Sequence, residues 1–450
     1  MEVPKVENTK KLREKLTSFQ IIILGFAACI FIGAILLMLP ISSKSHVYTP
    51  FNKSLFTSTS AVCVTGLVLL DTATYWSRFG QAVILILIQI GGLGVITIAS
   101  LLAVLAGRKI SFMHRQTMQN AISAPQLGGM VKFTKFIFKT SILIELLGAL
   151  ALMPFFYERY GLEGIWMAFF HSISAFCNAG FDLMGAKTGE FSSLTAFQGS
   201  YYIMIVVCML IISGGLGFLT WDDLAAKKRH FRNFRMQSKV IIVTSVVLII
   251  VPACIFFIVD FADLPMRERI CSSIFQSVTA RTAGFNTADY STMSENGRAI
   301  TMILMLIGGS PGSTAGGMKT TTIAILFINA IAVFRRRANA KCFGRRIEDS
   351  VVKNAATILF MYLVLVFVSA FIICGVEGLP LEECLFETIS AVATVGVTMG
   401  ITPGLGIASQ IILMLLMFFG RVGGLTLIYA AFSHRVTYAS EYPVENIVVG

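Results

Sequence analysis

The sequence predicts an all-α membrane protein of four pseudo-repeats around a central pore axis, with eight transmembrane helices and four re-entrant helices. Of its 450 residues, 56% are hydrophobic and 13% are charged, which is about half the charge content of an average soluble domain. Several apolar stretches approach or exceed the ~18 residues of a candidate transmembrane helix. One motif also occurs four times along the chain. This composition excludes a soluble enzyme with a single peripheral anchor.

The basic residues predict how the chain is oriented in the membrane. Four segments contain 24 of the 36 Lys and Arg residues, namely 1–15, 108–139, 227–239 and 335–353. Because Lys and Arg are enriched in cytoplasmic loops, a pair of spans must separate each segment from the next. We therefore expect a multi-pass protein of the cell membrane with both termini in the cytoplasm. The net charge of +12 reflects this orientation and contact with the lipid bilayer, and no nucleic-acid partner is expected.

Each repeat contains one copy of the recurring motif, a short helix followed by a turn whose third residue is glycine. The copies begin at Phe56, Phe170, Phe275 and Phe386. The turns are Val64-Thr65-Gly66, Asn178-Ala179-Gly180, Thr282-Ala283-Gly284 and Thr394-Val395-Gly396. Their glycines are 114, 104 and 112 residues apart. We divide the chain into repeats 1–108, 109–226, 227–334 and 335–450.

The short helices predict a cation path. A helix of about ten residues cannot cross a bilayer, so the chain must enter and return on the same side. The turn leaves backbone carbonyls without helical partners, which is tolerated at membrane depth where they line a water-filled or ion-filled path. Glycine permits the backbone angles that aim successive carbonyls at one axis. Four converging turns would form a ring of oxygens that replaces the hydration shell of a monovalent cation. The negative ends of the helix dipoles favour a cation there.

The second span of each repeat contains a glycine pair that is expected to pack closely against its neighbours. The pairs are Gly91-Gly92, Gly214-Gly215, Gly316-Gly317 and Gly423-Gly424. In the third repeat, eight extra residues, 308–315, interrupt the span. The segment Gly312 to Thr320 resembles a phosphate-binding loop with one residue too many. Met318 separates its glycine from Lys319, and membrane spans flank it, so we reject that interpretation.

The chain resembles the superfamily of Trk, Ktr and HKT potassium transporters, most closely the Ktr-type (KtrB-like) membrane subunit. The resemblance rests on the four glycine turns, on Gly308 to Gly317 and on Gly420-Arg421-Val-Gly-Gly424, and it covers essentially the whole chain. It implies a potassium-selective filter formed by the four turns, hereafter the filter triplets, with K+ as the transported ion. Gly66 favours potassium, because plant relatives with serine there select sodium. No tyrosine follows the filter glycines, unlike in the potassium-channel TVGYG string.

The resemblance also implies a gate and partners. The gate would be an intramembrane loop with two basic side chains, comprising Gly308, Gly309, Ser310, Pro311, Gly312, Ser313, Thr314, Ala315, Gly316, Gly317, Lys319 and Arg421. The expected partners are a second copy in a homodimer, each protomer with its own pore, and a cytosolic KtrA-like ring of nucleotide-binding subunits. ATP or ADP would bind that ring, and this chain would hold no cofactor. The clusters Lys227-Lys228-Arg229 and Arg335-Arg336-Arg337 would contact the ring or only orient the chain and bind anionic lipids.

Three basic residues are expected at membrane depth, where a charge costs about 2.5 kcal/mol or more. Arg281 directly precedes its filter triplet, and we expect an ion pair with Glu387 that braces the filter. Lys319 follows the loop. Arg421 is expected beneath the filter, where it opposes cation passage; alternatively, it bonds the interrupted backbone of the third repeat.

Three acidic residues are also notable. Glu145 lies in an apolar span, where we expect a packed, neutral carboxyl, with pairing to Lys319 as the alternative. Asp182 and Asp289 follow their filter triplets and are expected to line an outer vestibule that concentrates cations.

The sequence leaves two transport functions open. One is a potassium-conducting pore, and the other is a secondary transporter that couples K+ to Na+ or H+, which titration of Glu145 would favour. A membrane enzyme is not expected, because His171 is the only histidine in a pore-forming segment and Ser172 and Ser174 are repeat-wide helix residues. The nine cysteines contain no C-x-x-C pair, so we predict no disulfide and no metal site other than K+ at the filter.

Overall fold

The computed structural model of the chain describes residues 17–105, 112–122, 128–227, 230–424, 426 and 445. In chain order its helices are α1 (Ser18–Met38), α2 (Phe51–Cys63), α3 (Arg78–Leu93), α4 (Val95–Leu105), α5 (Phe112–Ile122), α6 (Met130–Tyr160), α7 (Leu162–Phe176), α8 (Gly185–Thr188), α9 (Tyr201–Gly215), α10 (Phe218–Lys227), α11 (Met236–Ile258), α12 (Met266–Thr279), α13 (Glu295–Leu306), α14 (Thr320–Phe334), α15 (Asp349–Glu377), α16 (Leu381–Val392) and α17 (Ile407–Val422). Strands β1 (Lys341–Cys342) and β2 (Arg345–Arg346) form a small antiparallel hairpin. The all-α class is confirmed, while the prediction of cytoplasmic termini falls largely outside the described residues.

Among the residues that the structure describes, four helices are long and apolar enough to cross a membrane, namely α1, α6, α11 and α15. The number rises to six if the pairs α3 with α4 and α9 with α10 each count as one broken span. Each of the four long helices is the first span of a predicted repeat. Helix α1 begins with a capping box in which Thr17 and Gln20 bond each other's backbone, so its first N–H groups are satisfied.

The second spans of the first three repeats are interrupted. Helices α3 and α4 meet at 94°, and α9 and α10 meet at 98°. The bends lie at Gly94 and Gly217, both with φ of +87°, and α17 ends before Gly423, with φ of +90°. Glycine alone adopts these angles without a steric cost. In the third repeat, α13 stops at Leu306 and α14 begins at Thr320.

In the first, second and fourth repeats, a glycine of the second span lets that span pack against the motif of its own repeat. A Cβ on Gly91, Gly214 or Gly420 would collide with the backbone carbonyl of Val62, Phe176 or Val392, respectively. Each of these carbonyls lies two residues before its filter triplet. Gly420 is therefore the structural equivalent of Gly91 and Gly214. The sequence alignment matched these glycines with Gly423-Gly424 instead, three residues later. The structural register places Arg421 where the first two repeats have Gly92 and Gly215.

The short motif helices of the first three repeats are joined to the first span of their own repeat by one recurring hydrogen bond. A serine hydroxyl on α2, α7 or α12 donates to a backbone carbonyl of α1, α6 or α11. The pairs are Ser58 with Ile30 at 2.7 Å, Ser172 with Glu145 at 2.6 Å and Ser277 with Ile249 at 2.7 Å. These bonds use the hydroxyls inside the fold and fix the depth of each short helix.

Candidate functional site

The four filter triplets begin where the short helices end. Helices α2, α7, α12 and α16 stop within three residues of the first triplet residue. That residue has a left-handed backbone in every repeat, with φ of +56° at Val64, +58° at Asn178, +69° at Thr282 and +53° at Thr394. The glycine that ends each triplet also has positive φ, between +69° and +96°. Because left-handed residues reverse the chain direction, all four segments turn away from the helix axis in the same manner.

The N–H groups of the triplets are held by the helix that precedes them. In the first repeat, the N–H of Thr65 donates to the Ser60 carbonyl at 2.8 Å, and the N–H of Gly66 donates to the Ser60 hydroxyl at 3.0 Å. The fourth repeat has the same pair of bonds from Val395 and Gly396 to Ser390, at 2.8 and 3.1 Å. Within the described chain, the triplet carbonyls accept no hydrogen bond. They remain available to a cation.

The third repeat reaches the same geometry with one residue fewer. The N–H of Ala283 donates to the Thr279 carbonyl at 3.0 Å. The Thr279 hydroxyl in turn donates to the carbonyl of Phe285, just beyond the triplet. In the second repeat, the Ser174 hydroxyl makes the corresponding bond to Phe181, at 2.7 Å. The shorter motif therefore keeps its filter strand tied at both ends.

The four triplets close into a ring. A Cβ placed on Gly66 would lie 2.6 Å from the Ala179 carbonyl oxygen, and one on Gly284 would lie 2.6 Å from that of Val395. Likewise, a Cβ on Gly180 would lie 2.9 Å from the Ala283 carbonyl oxygen, and one on Gly396 would collide with that of Thr65. Each glycine thus abuts the middle residue of the next repeat, in the order one, two, three, four and back to one. Any side chain at these glycines would enter the space that the carbonyls share.

The interrupted segment of the third repeat is fixed beneath the filter. The N–H groups of Ser310 and Thr314 donate to the carbonyls of Gly215 and Gly214, at 3.0 and 3.2 Å. The Thr314 hydroxyl donates to the Phe176 carbonyl at 3.0 Å. On the other side, a Cβ on Gly317 would lie 2.7 Å from the Ala393 carbonyl. The loop therefore contacts the bases of the second and fourth filter strands.

Both basic side chains near the loop bond backbone carbonyls. Lys319 Nζ donates to Ala315 at 2.9 Å and to Gly316 at 3.2 Å, so it caps the end of its own loop. Arg421 donates from Nη1 to the Thr314 carbonyl, and from Nη2 to the Gly91 carbonyl and to the Gly92 carbonyl at 3.0 Å. The guanidinium thus joins the loop of the third repeat to α3 of the first.

The expected ion pair between Arg281 and Glu387 is wrong. Arg281 donates from Nη2 to the Ser245 hydroxyl of α11 at 3.2 Å. The Glu387 carboxylate accepts from the hydroxyls of Thr398 and Thr402 within its own repeat. Arg281 points backwards to the span of its own repeat, because the residue before a filter triplet lies on the outer side of the turn. The fourth filter is braced by threonines instead.

The remaining titratable candidates are also placed. The Glu145 carboxylate accepts from Gln89 Nε2, so it does not pair with Lys319. Asp182 accepts from the N–H of Met184 at 2.8 Å, and Asp289 is exposed and accepts from the N–H of Ser291. Both follow their filter triplets, on the side away from the loop. His171 has both ring nitrogens engaged, with the Met167 carbonyl and the Leu183 N–H, so it offers no free base.

A cavity of about 810 Å³ opens on the loop side of the filter. Its wall contains Gly92, Lys319, Arg421 and the loop residues Gly312 and Ser313, together with Arg346 and Glu348 near the hairpin. The loop and Arg421 separate this cavity from the filter triplets. The ring of glycine turns, the interrupted loop with Arg421, and the open cavity thus follow one another in this order.

Sequence reasoning missed several members of this site. The backbone carbonyls of Gly91, Gly92 and Phe176, which hold Arg421 and Thr314, carry no side-chain signal. Gln89 did give a signal in the sequence, since it is a polar residue in the apolar run of α3. Pairing it with Glu145 required the packing of two repeats.

Comparison with known proteins agrees with this architecture. Residues 3–436 match the family model described as TrkH, cation transport protein. The chain belongs to the TrkH family of cation transport proteins. By this family relationship, the chain is a multi-pass membrane transporter. The TrkH family assignment extends across all four filter triplets, the loop and Arg421.

Characterised relatives of this TrkH-family chain cover its full length. The chain is 40% identical to the potassium/sodium uptake protein NtpJ of Enterococcus hirae, over 98% of this chain and 99% of that protein. It is 36% identical to the Ktr system potassium uptake protein B of Bacillus subtilis, over 97% of each chain. The crystal structure of the potassium transporter TrkH from Vibrio parahaemolyticus matches with a TM-score of 0.72 at 18% identity, covering 91% of this chain and 83% of that chain. This last likeness establishes the fold.

Proposed function

We propose that the chain is the ion-translocating membrane subunit of a Ktr-type potassium uptake system, with one pore per protomer. The observation that carries this proposal is the closed ring of filter triplets, in which every glycine abuts the middle residue of the next repeat. The full-length relatives named for potassium uptake support the choice of ion.

The ring has the electrostatics that a cation site needs. Its carbonyls accept no hydrogen bond in the described chain, so they are free to coordinate a cation. Four short helices also point their C-terminal, negative ends at this axis. Carbonyl rings of this kind replace the hydration shell of K+. The N–H groups tied back to Ser60 and Ser390 keep the carbonyls from turning away.

The loop of residues 308–317 and Arg421 supply the gate in this proposal. Passage from the ring to the 810 Å³ cavity requires the loop to leave its bonds with Gly214, Gly215 and Phe176. Arg421 stabilises the closed position by its bond to Thr314. Its positive charge also repels a cation that leaves the filter. The closed arrangement therefore combines a steric and an electrostatic barrier.

The proposal includes partners outside the chain. Proteins named as parts of a Ktr system work with other subunits, and we assign to this chain a KtrA-like cytosolic ring that binds ATP or ADP. The basic residues around the β1–β2 hairpin, beside the cavity, face the side from which such a ring would bind. A homodimer in the cell membrane, with both termini in the cytoplasm, completes the proposed assembly.

Ion flux into liposomes tests the proposed function. The purified chain would be reconstituted with and without a cytosolic ring, and K+ and Na+ uptake would be measured under imposed pH and sodium gradients. We expect uptake that prefers K+ and is unaffected by either gradient. Uptake that requires a proton or sodium gradient would show coupled transport. We retain this alternative because the Enterococcus relative is named a potassium/sodium uptake protein. Equal uptake of both ions would refute the potassium assignment.

A further inference from the structure

A buried polar cluster lies behind the filter, at the contact between the first and second repeats. Gln89 of α3 donates from Nε2 to both carboxylate oxygens of Glu145 on α6, at 2.9 and 3.0 Å. The thiol of Cys177 donates to Gln89 Oε1 at 3.6 Å. Glu145 is 5% exposed and Cys177 is fully buried. Polar groups at membrane depth are costly, so a hydrogen-bonded set of three calls for a role.

The cluster touches two parts of the conduction path. Cys177 directly precedes Asn178, the first residue of the second filter triplet, so its thiol fixes the base of that strand. Gln89 lies two residues before Gly91, and the carbonyls of Gly91 and Gly92 accept from Arg421. A Cβ on Gly92 would lie 2.7 Å from the Cys177 sulfur. One amide side chain therefore links the filter strand to the segment that binds the gating arginine.

The other repeats show that packing alone does not require these polar groups. When Gly91, Gly214 and Gly420 are aligned by their contacts, the residues equivalent to Gln89 are Ile212 in the second repeat and Phe418 in the fourth. By the serine bond to the first span, the positions of Glu145 in the first and third repeats are Ile30 and Ile249. Apolar residues fill the same places elsewhere. The polar cluster is a specific feature of the first and second repeats.

We propose that Gln89 and Glu145 are positioning residues that hold the second filter strand and the binding segment of Arg421 in register. This inference rests on the proposed potassium function. Glu145 orients the amide of Gln89 by accepting both bonds from Nε2, which leaves Oε1 aimed at the Cys177 thiol. Without this orientation, the base of the second strand keeps its backbone turn and loses its lateral support. Selectivity then declines, while the remaining three strands stay in place.

The test separates positioning from folding by three variants. Gln89→Met combined with Glu145→Met removes both polar partners at similar volume and leaves no unpaired buried charge, so the protein is expected to fold. Glu145→Gln keeps an acceptor for Gln89. Gln81→Met is the matched control, because Gln81 lies on the same helix and bonds Trp166 of the second repeat at 2.9 Å, far from the filter base. Assembly would be checked by size-exclusion chromatography, and the ratio of K+ to Na+ uptake measured in liposomes.

We expect the double methionine variant to assemble normally and to lower the K+ to Na+ uptake ratio roughly fivefold, the size of one lost hydrogen bond of about 1 kcal/mol. Glu145→Gln and Gln81→Met should stay within about twofold of the unmodified protein. An assembled double variant with an unchanged ratio would overturn the inference, as would an equal loss in Gln81→Met. A double variant that does not assemble would show that the cluster serves folding and would also overturn it. Unmodified protein without K+ preference would instead refute the proposed function.

Discussion

Arg421 and Thr314 are joined by a hydrogen bond from the guanidinium Nη1 to the backbone carbonyl, although 107 residues separate them in the chain. The same guanidinium bonds the carbonyls of Gly91 and Gly92 through Nη2. One side chain thus connects α17, the loop of the third repeat and α3. Arg421 therefore bonds the interrupted backbone of the third repeat, as one of its two interpretations predicts, and its role as an electrostatic barrier stays a prediction.

Replacing Arg421 by alanine is expected to raise basal potassium flux. The change removes both the bond to Thr314 and a positive charge near the path, which at ~4 Å contributes about 1 to 4 kcal/mol for effective dielectrics of ~80 to ~20. Flux into liposomes without the cytosolic ring should rise roughly fivefold to several hundredfold. A well-assembled alanine variant with unaltered or reduced flux would contradict the gating role.

Arg421→Lys provides a graded control. Lysine retains the charge but lacks the planar fork that reaches two chain segments at once. We expect basal flux between those of the unmodified protein and the alanine variant. Flux equal to that of the alanine variant would show that the bridge alone keeps the path closed. Flux equal to that of the unmodified protein would show that the charge alone does so.

The loop contact at Thr314 can be weakened without deleting the segment. Thr314→Val removes the hydroxyl bond to the Phe176 carbonyl at nearly constant volume. Losing a buried hydrogen bond of about 1 kcal/mol should raise basal flux roughly fivefold. The matched control is Thr357→Val, whose hydroxyl bonds the Lys353 carbonyl on the exposed face of α15. If Thr314→Val and deletion of residues 308–315 both leave flux low and fully regulated, the loop is not the gate.

Gly66→Ser is expected to admit more sodium. The backbone at Gly66 has φ of +96°, and a Cβ there would lie 2.6 Å from the Ala179 carbonyl. Serine must therefore shift one carbonyl of the ring, and the K+ to Na+ ratio should fall roughly fivefold for a lost interaction of about 1 kcal/mol. Gly375→Ser is the control, because a Cβ at that position on α15 meets nothing within 4 Å. An unchanged ratio in Gly66→Ser would remove Gly66 from the filter.

The outer ends of the first two repeats are joined by an acid-sensitive contact. Glu163 accepts from Lys187 at 2.8 Å and from Arg78 at 3.1 Å, and the bond from Lys187 lowers the pKa of the Glu163 carboxyl below its ordinary value. A carboxyl whose pKa is lower in the folded than in the unfolded state stabilises the fold at pH values above its unfolded pKa. This stabilisation is lost as the pH falls through the folded pKa. Glu163→Gln should therefore cost at most about 1 kcal/mol at pH 7. The difference should shrink on acidification in thermal unfolding, and a difference that grows would contradict the assignment.

The sequence was sufficient for the fold class and for locating four similar glycine turns, whose role as an ion filter stays a prediction. Both follow from local patterns, since apolar length identifies the long spans and the glycine turn recurs in fixed order. Interruptions at Gly94 and Gly217 were not predictable, because a glycine within an apolar helix is equally compatible with a continuous span. The bend depends on how the segment after the glycine packs against the rest of the protein. The apolar pattern of the sequence holds no information on that packing.

Contacts between repeats were the least predictable part of the site. Arg281 and Glu387 have opposite charges and neighbouring places in the repeat order, yet each side chain bonds within its own repeat. Charge pairing indicates compatible partners but not the direction in which a side chain leaves its turn. The partners of Arg421 are backbone carbonyls, which every residue possesses and no sequence pattern marks.

The most direct test of the central claim is to locate the ion. Crystals of the protein grown in rubidium, which substitutes for potassium and scatters anomalously, would show where the cation binds. We expect an anomalous peak on the axis shared by the carbonyls of Thr65, Ala179, Ala283 and Val395. We also expect this peak to be lost in crystals of the Gly66→Ser variant grown with sodium. A peak elsewhere in the protein, with the ring of filter triplets intact and unoccupied, would contradict the claim that these four turns conduct the ion.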